Sequence, residues 1–259
     1  MKPIIAVLGL GEAGSRIASD LAAAGVEVRG YDPAPSTGPA GVVRAPDAGA
    51  AVAGCDVVLS INSAAAARAA AEAAHPALGP GSVLADLNTA APALKRELAA
   101  LVGDGAFADV ALLGSVPARG LHTPALASGG GARSFAEALT PLGMPVEIVS
   151  EHAGDAAARK LLRSVFMKGL AASAIESLDA AAVAGQLEWL ESEIAGVIGE
   201  DLLQRLVDGS RRHAVRRMDE MEAAAELLVE LGVDPKVARA SAAVLARLAA
   251  ESAEPAALE

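Results

Sequence analysis

Residues 4–14 read IIAVLGLGEAG, an apolar run suited to a buried strand that leads directly into the pattern Gly-x-Gly-x-x-Gly. Gly9 permits a tight turn out of the strand, Gly11 lets the backbone approach a pyrophosphate, and Gly14 lets the next helix pack closely. Free N–H groups at the start of that helix favour a phosphate. The pattern alone also fits a turn that serves only packing. The predicted nucleotide contacts in this loop are Gly9, Leu10, Gly11, Glu12, Ala13 and Gly14.

The following residues complete a strand–loop–helix–strand unit. Apolar residues within 15–24 share one helical face, and Gly25 stands where a helix usually stops. A second strand over residues 26–31 ends at Asp32, about 20 residues after the glycines, as the dinucleotide fingerprint requires. A carboxylate there accepts hydrogen bonds from ribose hydroxyls and repels a 2′-phosphate. Asp32 therefore favours NAD over NADP, unless it is an ordinary turn residue before Pro33.

Composition limits the class of protein. The 259 residues suffice for two ordinary domains or one large domain. Hydrophobic residues make up 53% and aromatic residues only 2%, which predicts a core of alanine, leucine and valine. The net charge of -11 repels a phosphate backbone and an anionic membrane, so neither nucleic acid nor membrane is an expected partner.

The single cysteine, Cys55, excludes an intrachain disulfide and a thiolate zinc cluster, and we predict a buried thiol and no metal site. The first apolar run ends without a cleavage pattern, and no stretch reaches the ~18 apolar residues of a membrane span. These features predict a cytoplasmic protein.

Strand-like and helix-like patterns alternate through the first part of the chain. The pattern predicts helices over residues 64–74 and 91–102, and strands over residues 42–44, 56–62, 82–87, 106–112, 125–128 and 146–149. Such alternation is typical of parallel strands joined by right-handed helical crossovers. We therefore predict an α/β fold with a Rossmann-type doubly wound sheet.

Beyond Ser150 the pattern is almost entirely helical, with breaks predicted near Gly185, Gly209 and residues 232–235. We expect a dinucleotide-binding domain over residues 1–151 and an all-α substrate and dimerisation domain over residues 152–259. A first helix over residues 154–184 would be roughly 45 Å long. Its apolar surface predicts a homodimer through the helical domain; the alternative is that later helices of the same chain cover it.

Three segments together resemble the β-hydroxyacid dehydrogenases: GLGEAG at residues 9–14, DLNT at residues 86–89 and GDAAARK at residues 154–160. This superfamily includes 3-hydroxyisobutyrate and 6-phosphogluconate dehydrogenases, and the resemblance follows the whole chain in order. It implies a nicotinamide dinucleotide cofactor and a small-molecule substrate.

The resemblance implies a catalytic role for Lys160. In the family, Gly-x-Gly-x-x-x-Lys opens the first helix of the second domain and its lysine is the acid/base; here the second glycine is Ala156. The family asparagine one turn later is Ser164, which shares a helical face with Lys160. A lysine with a pKa of about 10.4 needs desolvation or nearby cations to act as a base. The alternative is a solvated helix lysine.

Other family positions are altered. The substrate turn Asp-x-Pro-Val-Ser-Gly-Gly retains only Asp109 and one glycine, although N–H groups at Gly114 and Ser115 remain candidates to hold a carboxylate. The Lys-Asp pair of the penultimate helix is replaced by Asp219-Glu220, and His213, Arg217 and Glu220 are predicted to share one face. Either that face closes the substrate pocket, or it is a charged face exposed to solvent. The predicted substrate-binding residues are Gly114, Ser115, Ser164, Lys168 and His213.

Polar residues also follow two predicted strands at the edge where open α/β sheets bind ligands: Ser60, Asn62, Asn88 and Thr89. By resemblance they reach the riboses of NAD, while Asn62 and Asn88 also suit plain turns. The sequence predicts an NAD(P)-dependent oxidoreductase that transfers a hydride between nicotinamide and a small β-hydroxy acid or related polar alcohol. The alternatives are an imine or ketimine reductase on the same fold and a non-catalytic dinucleotide-binding protein.

Overall fold

The structure, a computed structural model, describes residues 2–34 and 38–253. The chain forms two compact units, residues 1–160 and 161–259, which we call the sheet unit and the helical unit. The division falls within one long helix, α7 (Asp155–Val183).

The sheet unit is built on one sheet with the strand order β3-β2-β1-β4-β5-β6-β7-β8. Its strands are β1 (Ile4–Leu8), β2 (Glu27–Tyr31), β3 (Val43–Arg44), β4 (Val57–Ser60), β5 (Val83–Asp86), β6 (Phe107–Leu112), β7 (Ala125–Ser128) and β8 (Val146–Ser150). Its helices are α1 (Glu12–Ala23), α2 (Ala48–Val52), α3 (Ala64–Ala74), α4 (Pro92–Val102), α5 (Val116–Arg119) and α6 (Ala132–Leu139). The predicted Rossmann-type fold is confirmed.

Strand direction departs from the parallel expectation at one place. Every neighbouring pair is parallel except β6 and β7, which pair antiparallel with Asp109 opposite Ser128. The segment that joins them, residues 113–124, contains only the short α5 and one 3₁₀ turn. A chain reversal of this kind needs no long helical crossover, whereas a parallel return does.

Both faces of the sheet are covered, which explains the continuous apolar runs in β4 and β5. Leu59 lies on the face that packs with Ile17 of α1 and Phe135 of α6. Val58 lies on the opposite face, which packs with α2, α3 and Leu98 of α4. The helix α3 presents only alanines to this core, as expected from the low aromatic content: Ala67, Ala71 and Ala74.

The helical unit contains the rest of α7, followed by α8 (Leu187–Ile198), α9 (Glu200–Arg212), α10 (Ala214–Glu230) and α11 (Lys236–Ala253). Breaks occur at Gly185 and between α10 and α11, as predicted, and also at Gly199, where no break was predicted.

The break predicted near Gly209 and Ser210 lies a few residues later, at His213 between α9 and α10, because α9 continues through Gly209 to Arg212. A Cβ atom at Gly209 would lie 2.4 Å from Nη2 of Arg217. Nη1 of Arg217 in turn donates to Ser210 Oγ at 2.7 Å. This glycine therefore makes room for a guanidinium from α10 and does not end a helix.

The described residues contain no helix that combines the length and the apolar character needed to cross a bilayer. Cys55 is buried, with 2% of its surface exposed, and burial raises the pKa of its thiol.

Candidate active site

The glycine loop joins β1 to α1 and contains two crowded glycines and one open glycine. A Cβ atom on Gly9 would lie 2.2 Å from the carbonyl oxygen of Ile61, and Gly9 has a φ of +101°. A Cβ atom on Gly14 would lie 1.9 Å from the carbonyl oxygen of Gly9. At Gly11, in contrast, a Cβ atom would meet nothing within 4 Å. The open space at Gly11, directly before α1, fits the close approach of a pyrophosphate.

Asp32 follows β2 and is tied to this loop. Its Oδ2 accepts a hydrogen bond from the N–H of Leu10 at 2.6 Å, and its Oδ1 accepts one from the N–H of Ala34 at 2.8 Å. Arg44 of β3 donates to the carbonyl oxygens of Asp32 and Ala34. The carboxylate is thereby held beside the glycine loop, where the fingerprint requires an acceptor for ribose hydroxyls. Glu12 and Ala13 lie in the first turn of α1.

The loops after β4 and β5 are joined by side-chain hydrogen bonds. Oδ1 of Asn88 accepts from the N–H of Asn62 at 2.6 Å. Nδ2 of Asn88 donates to Asn62 Oδ1 at 2.8 Å and to Ser60 Oγ at 3.2 Å. The structure thus brings Ser60, Asn62 and Asn88 together at the carboxyl ends of adjacent strands.

Lys160 lies against this same edge of the sheet. Its Nζ donates a hydrogen bond to Oγ1 of Thr89, which directly follows Asn88, at 2.7 Å. Within the sheet unit the amine is therefore held beside a loop at the carboxyl end of β5.

The first turn of α7, which leads to Lys160, is fixed by two buried side chains of the sheet. Oδ2 of Asp109 accepts hydrogen bonds from the N–H groups of Gly154 at 3.1 Å and Ala157 at 2.9 Å. Oγ of Ser128 accepts one from the N–H of Ala156 at 3.0 Å. A carboxylate at this position satisfies unpaired N–H groups and interacts favourably with the helix dipole.

The sequence analysis missed Lys95, which has no exposed surface. Its Nζ donates to Asp86 Oδ2 at 2.6 Å and to the carbonyl oxygen of Asn88 at 2.8 Å, and lies 3.3 Å from Asp109 Oδ1. Burial lowers the pKa of this amine, but attraction to Asp86 and Asp109 outweighs it, so the pKa is raised. The sequence feature that could have revealed it is its position in α4, on the same buried face as Leu98 and Val102.

The helical unit holds a second polar cluster, formed by Ser164, Lys168 and Glu220. Nζ of Lys168 lies 3.0 Å from Glu220 Oε1 and 3.2 Å from Ser164 Oγ, and Ser164 Oγ donates to the same carboxylate oxygen. Desolvation lowers the pKa of Lys168, and the attraction of Glu220 only partly opposes that effect. Lys168 thus contacts a carboxylate of its own chain.

The remaining predicted substrate residues lie in connecting segments. Gly114 and Ser115 stand between β6 and α5, at the same edge of the sheet as the loops after β4 and β5. His213 stands directly before α10, the helix that carries Arg217 and Glu220, and its carbonyl oxygen accepts a hydrogen bond from the N–H of Arg217.

Two protein families match the sequence. The NAD binding domain of 6-phosphogluconate dehydrogenase matches residues 4–140, and a domain of unknown function (DUF1932) matches residues 181–248. An uncharacterised 28.5 kDa protein in the 7S RNA 5′ region of Methanothermus fervidus is 28% identical over 142 residues. That match covers 54% of this chain and 55% of the relative, so it spans only about half the length of this curated protein.

Solved structures are similar over nearly the whole chain. A conserved hypothetical protein from Sinorhizobium meliloti is 31% identical with a TM-score of 0.76, covering 100% of this chain and 92% of that chain. The 3-hydroxyisobutyrate dehydrogenase of Mycobacterium tuberculosis is 22% identical with a TM-score of 0.79, covering 97% and 95%. At this low identity, the second likeness establishes the shared fold alone.

Proposed function

Since the chain belongs to the β-hydroxyacid dehydrogenase superfamily, we propose that it is an NAD(P)-dependent oxidoreductase with Lys160 as its general acid/base. The proposed reaction transfers a hydride between nicotinamide and a small β-hydroxy acid or a related polar alcohol.

The observation that carries the proposal is the 2.7 Å hydrogen bond between Lys160 Nζ and Thr89 Oγ1. Thr89 follows β5 at the edge of the sheet where open α/β folds bind their ligands. A lysine on a solvated helix face would point into water and would not make this hydrogen bond. The contact therefore favours an acid/base role for Lys160 over that of a solvated helix lysine.

The residues present fit a dinucleotide. The open backbone at Gly11 would receive the pyrophosphate, Asp32 would accept from the adenosine ribose, and Asn62, Asn88 and Thr89 would line the nicotinamide side. Because the Asp32 carboxylate repels a 2′-phosphate, we expect NAD to be preferred over NADP. When bound, the nicotinamide supplies the hydride acceptor or donor.

The protein's own groups would transfer the proton and bind the substrate. Neutral Lys160 Nζ would take the hydroxyl proton during oxidation and return it during reduction. Backbone N–H groups at Gly114 and Ser115 are proposed to hold a carboxylate. Ser164, Lys168 and His213 stay predicted substrate contacts, and the first two are already engaged with Glu220.

The test compares Lys160→Ala with the wild type on a panel of β-hydroxy acids and a panel of cyclic imines. We expect Lys160→Ala to bind NAD normally in calorimetry and to lose turnover by about 10²- to 10⁴-fold. Lys236→Ala, a change at an exposed lysine of α11, is the matched control and should behave as wild type.

Near-normal turnover by Lys160→Ala would contradict the assignment of the acid/base. Turnover of imines alone would favour a reductase of C=N bonds. Tight NAD binding without turnover on either panel would favour a non-catalytic dinucleotide-binding protein. The homodimer and the cytoplasmic location stay predictions.

A further inference from the structure

A wholly buried ammonium lies at the centre of the sheet unit's polar interior. Lys95 contacts Asp86 twice, through Oδ2 at 2.6 Å and the carbonyl oxygen at 2.9 Å. It also contacts the carbonyl oxygen of Asn88 at 2.8 Å and lies 3.3 Å from Asp109 Oδ1. Burying a charge is costly, and replacing a whole buried ion cluster by well-packed apolar side chains is often at least as stabilising as keeping it. The arrangement therefore invites an explanation other than stability.

The first set of contacts made by Lys95 connects it with the loop that contacts Lys160. Asp86 ends β5, and its Oδ1 accepts a hydrogen bond from Nδ2 of Asn88. Lys95 holds the carbonyl oxygen of Asn88 itself. The next residue along the chain is Thr89, whose hydroxyl accepts the hydrogen bond from Lys160 Nζ. The position of that hydroxyl thus depends on how Lys95 holds Asn88.

The second connection runs through the Asp109 carboxylate to the backbone of the helix that carries Lys160. Oδ1 of Asp109 faces Lys95, while Oδ2 of the same carboxylate accepts from the N–H groups of Gly154 and Ala157. Lys160 follows Ala157 by nearly one helical turn. A rotation of the Asp109 carboxylate would therefore shift the first turn of α7.

Together these contacts close a ring of residues within the sheet unit. The ring runs from Lys95 through Asn88 and Thr89 to Lys160, and returns through the first turn of α7 and Asp109. We propose that Lys95 is a positioning residue, which sets where Lys160 Nζ lies by fixing both Thr89 and the start of α7. The inference rests on the proposed role of Lys160, but its test needs neither substrate nor cofactor.

The test measures the reactivity of the Lys160 amine. The chain has five lysines, so trace acetylation with acetic anhydride can be read for each one by peptide mass spectrometry. In Lys95→Met we expect the labelling of Lys160 to rise about fivefold, the factor that corresponds to losing one hydrogen bond of ordinary net strength. Thr89→Val should give the same rise, whereas Thr89→Ser, which keeps the hydroxyl, should not.

Leu98→Ala separates positioning from general destabilisation, because Leu98 is buried on α4 but lies outside the ring. It should lower the melting temperature and leave the labelling of Lys160 unchanged. If Lys95→Met does not fold, the measurement is made on Lys95→Met/Asp86→Asn, which removes one facing carboxylate together with the cation and leaves Asp109 to hold the first turn of α7.

Wild-type labelling of Lys160 in a folded Lys95 variant would overturn the proposal. Failure of both Lys95 variants to fold would also overturn it, since Lys95 would then act on stability alone. A wild-type protein that neither binds NAD nor turns over any substrate would instead contradict the proposed function, and would leave the labelling result standing.

Discussion

The glycines of the β1–α1 loop have different surroundings, and substitutions should separate their roles. Gly14→Ala places a Cβ atom 1.9 Å from a backbone oxygen, so we expect a lower melting temperature together with lost NAD binding. Gly11→Ala meets nothing within 4 Å and has an ordinary negative φ of -67°, so its melting temperature should stay at the wild-type value.

If a pyrophosphate approaches Gly11, the added methyl group should weaken NAD binding by about tenfold, or 1.4 kcal/mol. Calorimetric titration with NAD measures this change. Unaltered affinity in Gly11→Ala would mean that the phosphates bind elsewhere.

Lys95 should also give the protein a characteristic dependence of stability on pH. Its pKa is raised above the ordinary value of 10.5 in the folded state, so the folded protein holds this proton more tightly than the unfolded chain. The resulting stabilisation is complete below 10.5 and is lost as the pH rises through the higher folded pKa.

Near neutral pH, Lys95→Met should be less stable than wild type by about 3 to 5 kcal/mol, because two buried carboxylates lose their cation. Urea unfolding at several pH values measures the difference, which should shrink only above 10.5. Lys236→Met is the exposed control. A difference that already shrinks at neutral pH would contradict the raised pKa.

At the scale of elements, the contact between α7 and α10 depends on Glu220. This carboxylate accepts from Ser164 and pairs with Lys168, whose ammonium is largely removed from water. Glu220→Gln should destabilise the protein by roughly 1 to 3 kcal/mol, because a desolvated ammonium loses its counter-charge. Urea unfolding measures the loss, with the exposed Glu222→Gln on the same helix as control. Equal stability of the two variants would show that Lys168 is already well solvated.

Elements with strong local patterns could be predicted from the sequence. The helix over residues 64–74 and the strand over residues 125–128 have the predicted bounds, and other strands differ by a residue or two at their ends. Residues 116–119 and 132–139 form short helices that the periodicity did not indicate. Helices of this length depend on tertiary contacts more than on local pattern.

The site could be predicted only where a motif carries it. The glycine loop and Asp32 follow from spacing, and Lys160 follows from the family resemblance. Lys95 was not predicted as a site residue because a lysine is expected at the surface, and because its partners Asp86 and Asp109 come from separate strands. Gly209 was interpreted as a break because the approach of Arg217 from α10 cannot be seen in the local sequence.

At the scale of the whole molecule, the helical unit exposes apolar side chains along α8. None of the α8 residues is buried, and Trp189 and Val197 are 60% and 84% exposed. The homodimer is predicted from the apolar surface of α7, on which Phe166 is 70% exposed, and an interface on the helical unit would cover such side chains on α8 as well. We expect a dimer in sedimentation or solution scattering at micromolar concentration.

Trp189→Glu should raise the dissociation constant of that dimer by at least about tenfold, because aromatic residues often dominate interface energies. Val43→Glu, a change at an exposed position of the sheet unit, should leave the mass unchanged. A monomeric wild-type mass would contradict the homodimer, and an unaffected Trp189→Glu dimer would place its interface elsewhere.

Trp189 is the only tryptophan in the chain and belongs to the helical unit, whereas the glycine loop belongs to the sheet unit. Excited indole transfers energy to reduced nicotinamide over distances comparable to a protein domain. The quenching of Trp189 emission as NADH is added would therefore report the distance between this ring and the bound nicotinamide in the native chain, without any attached dye.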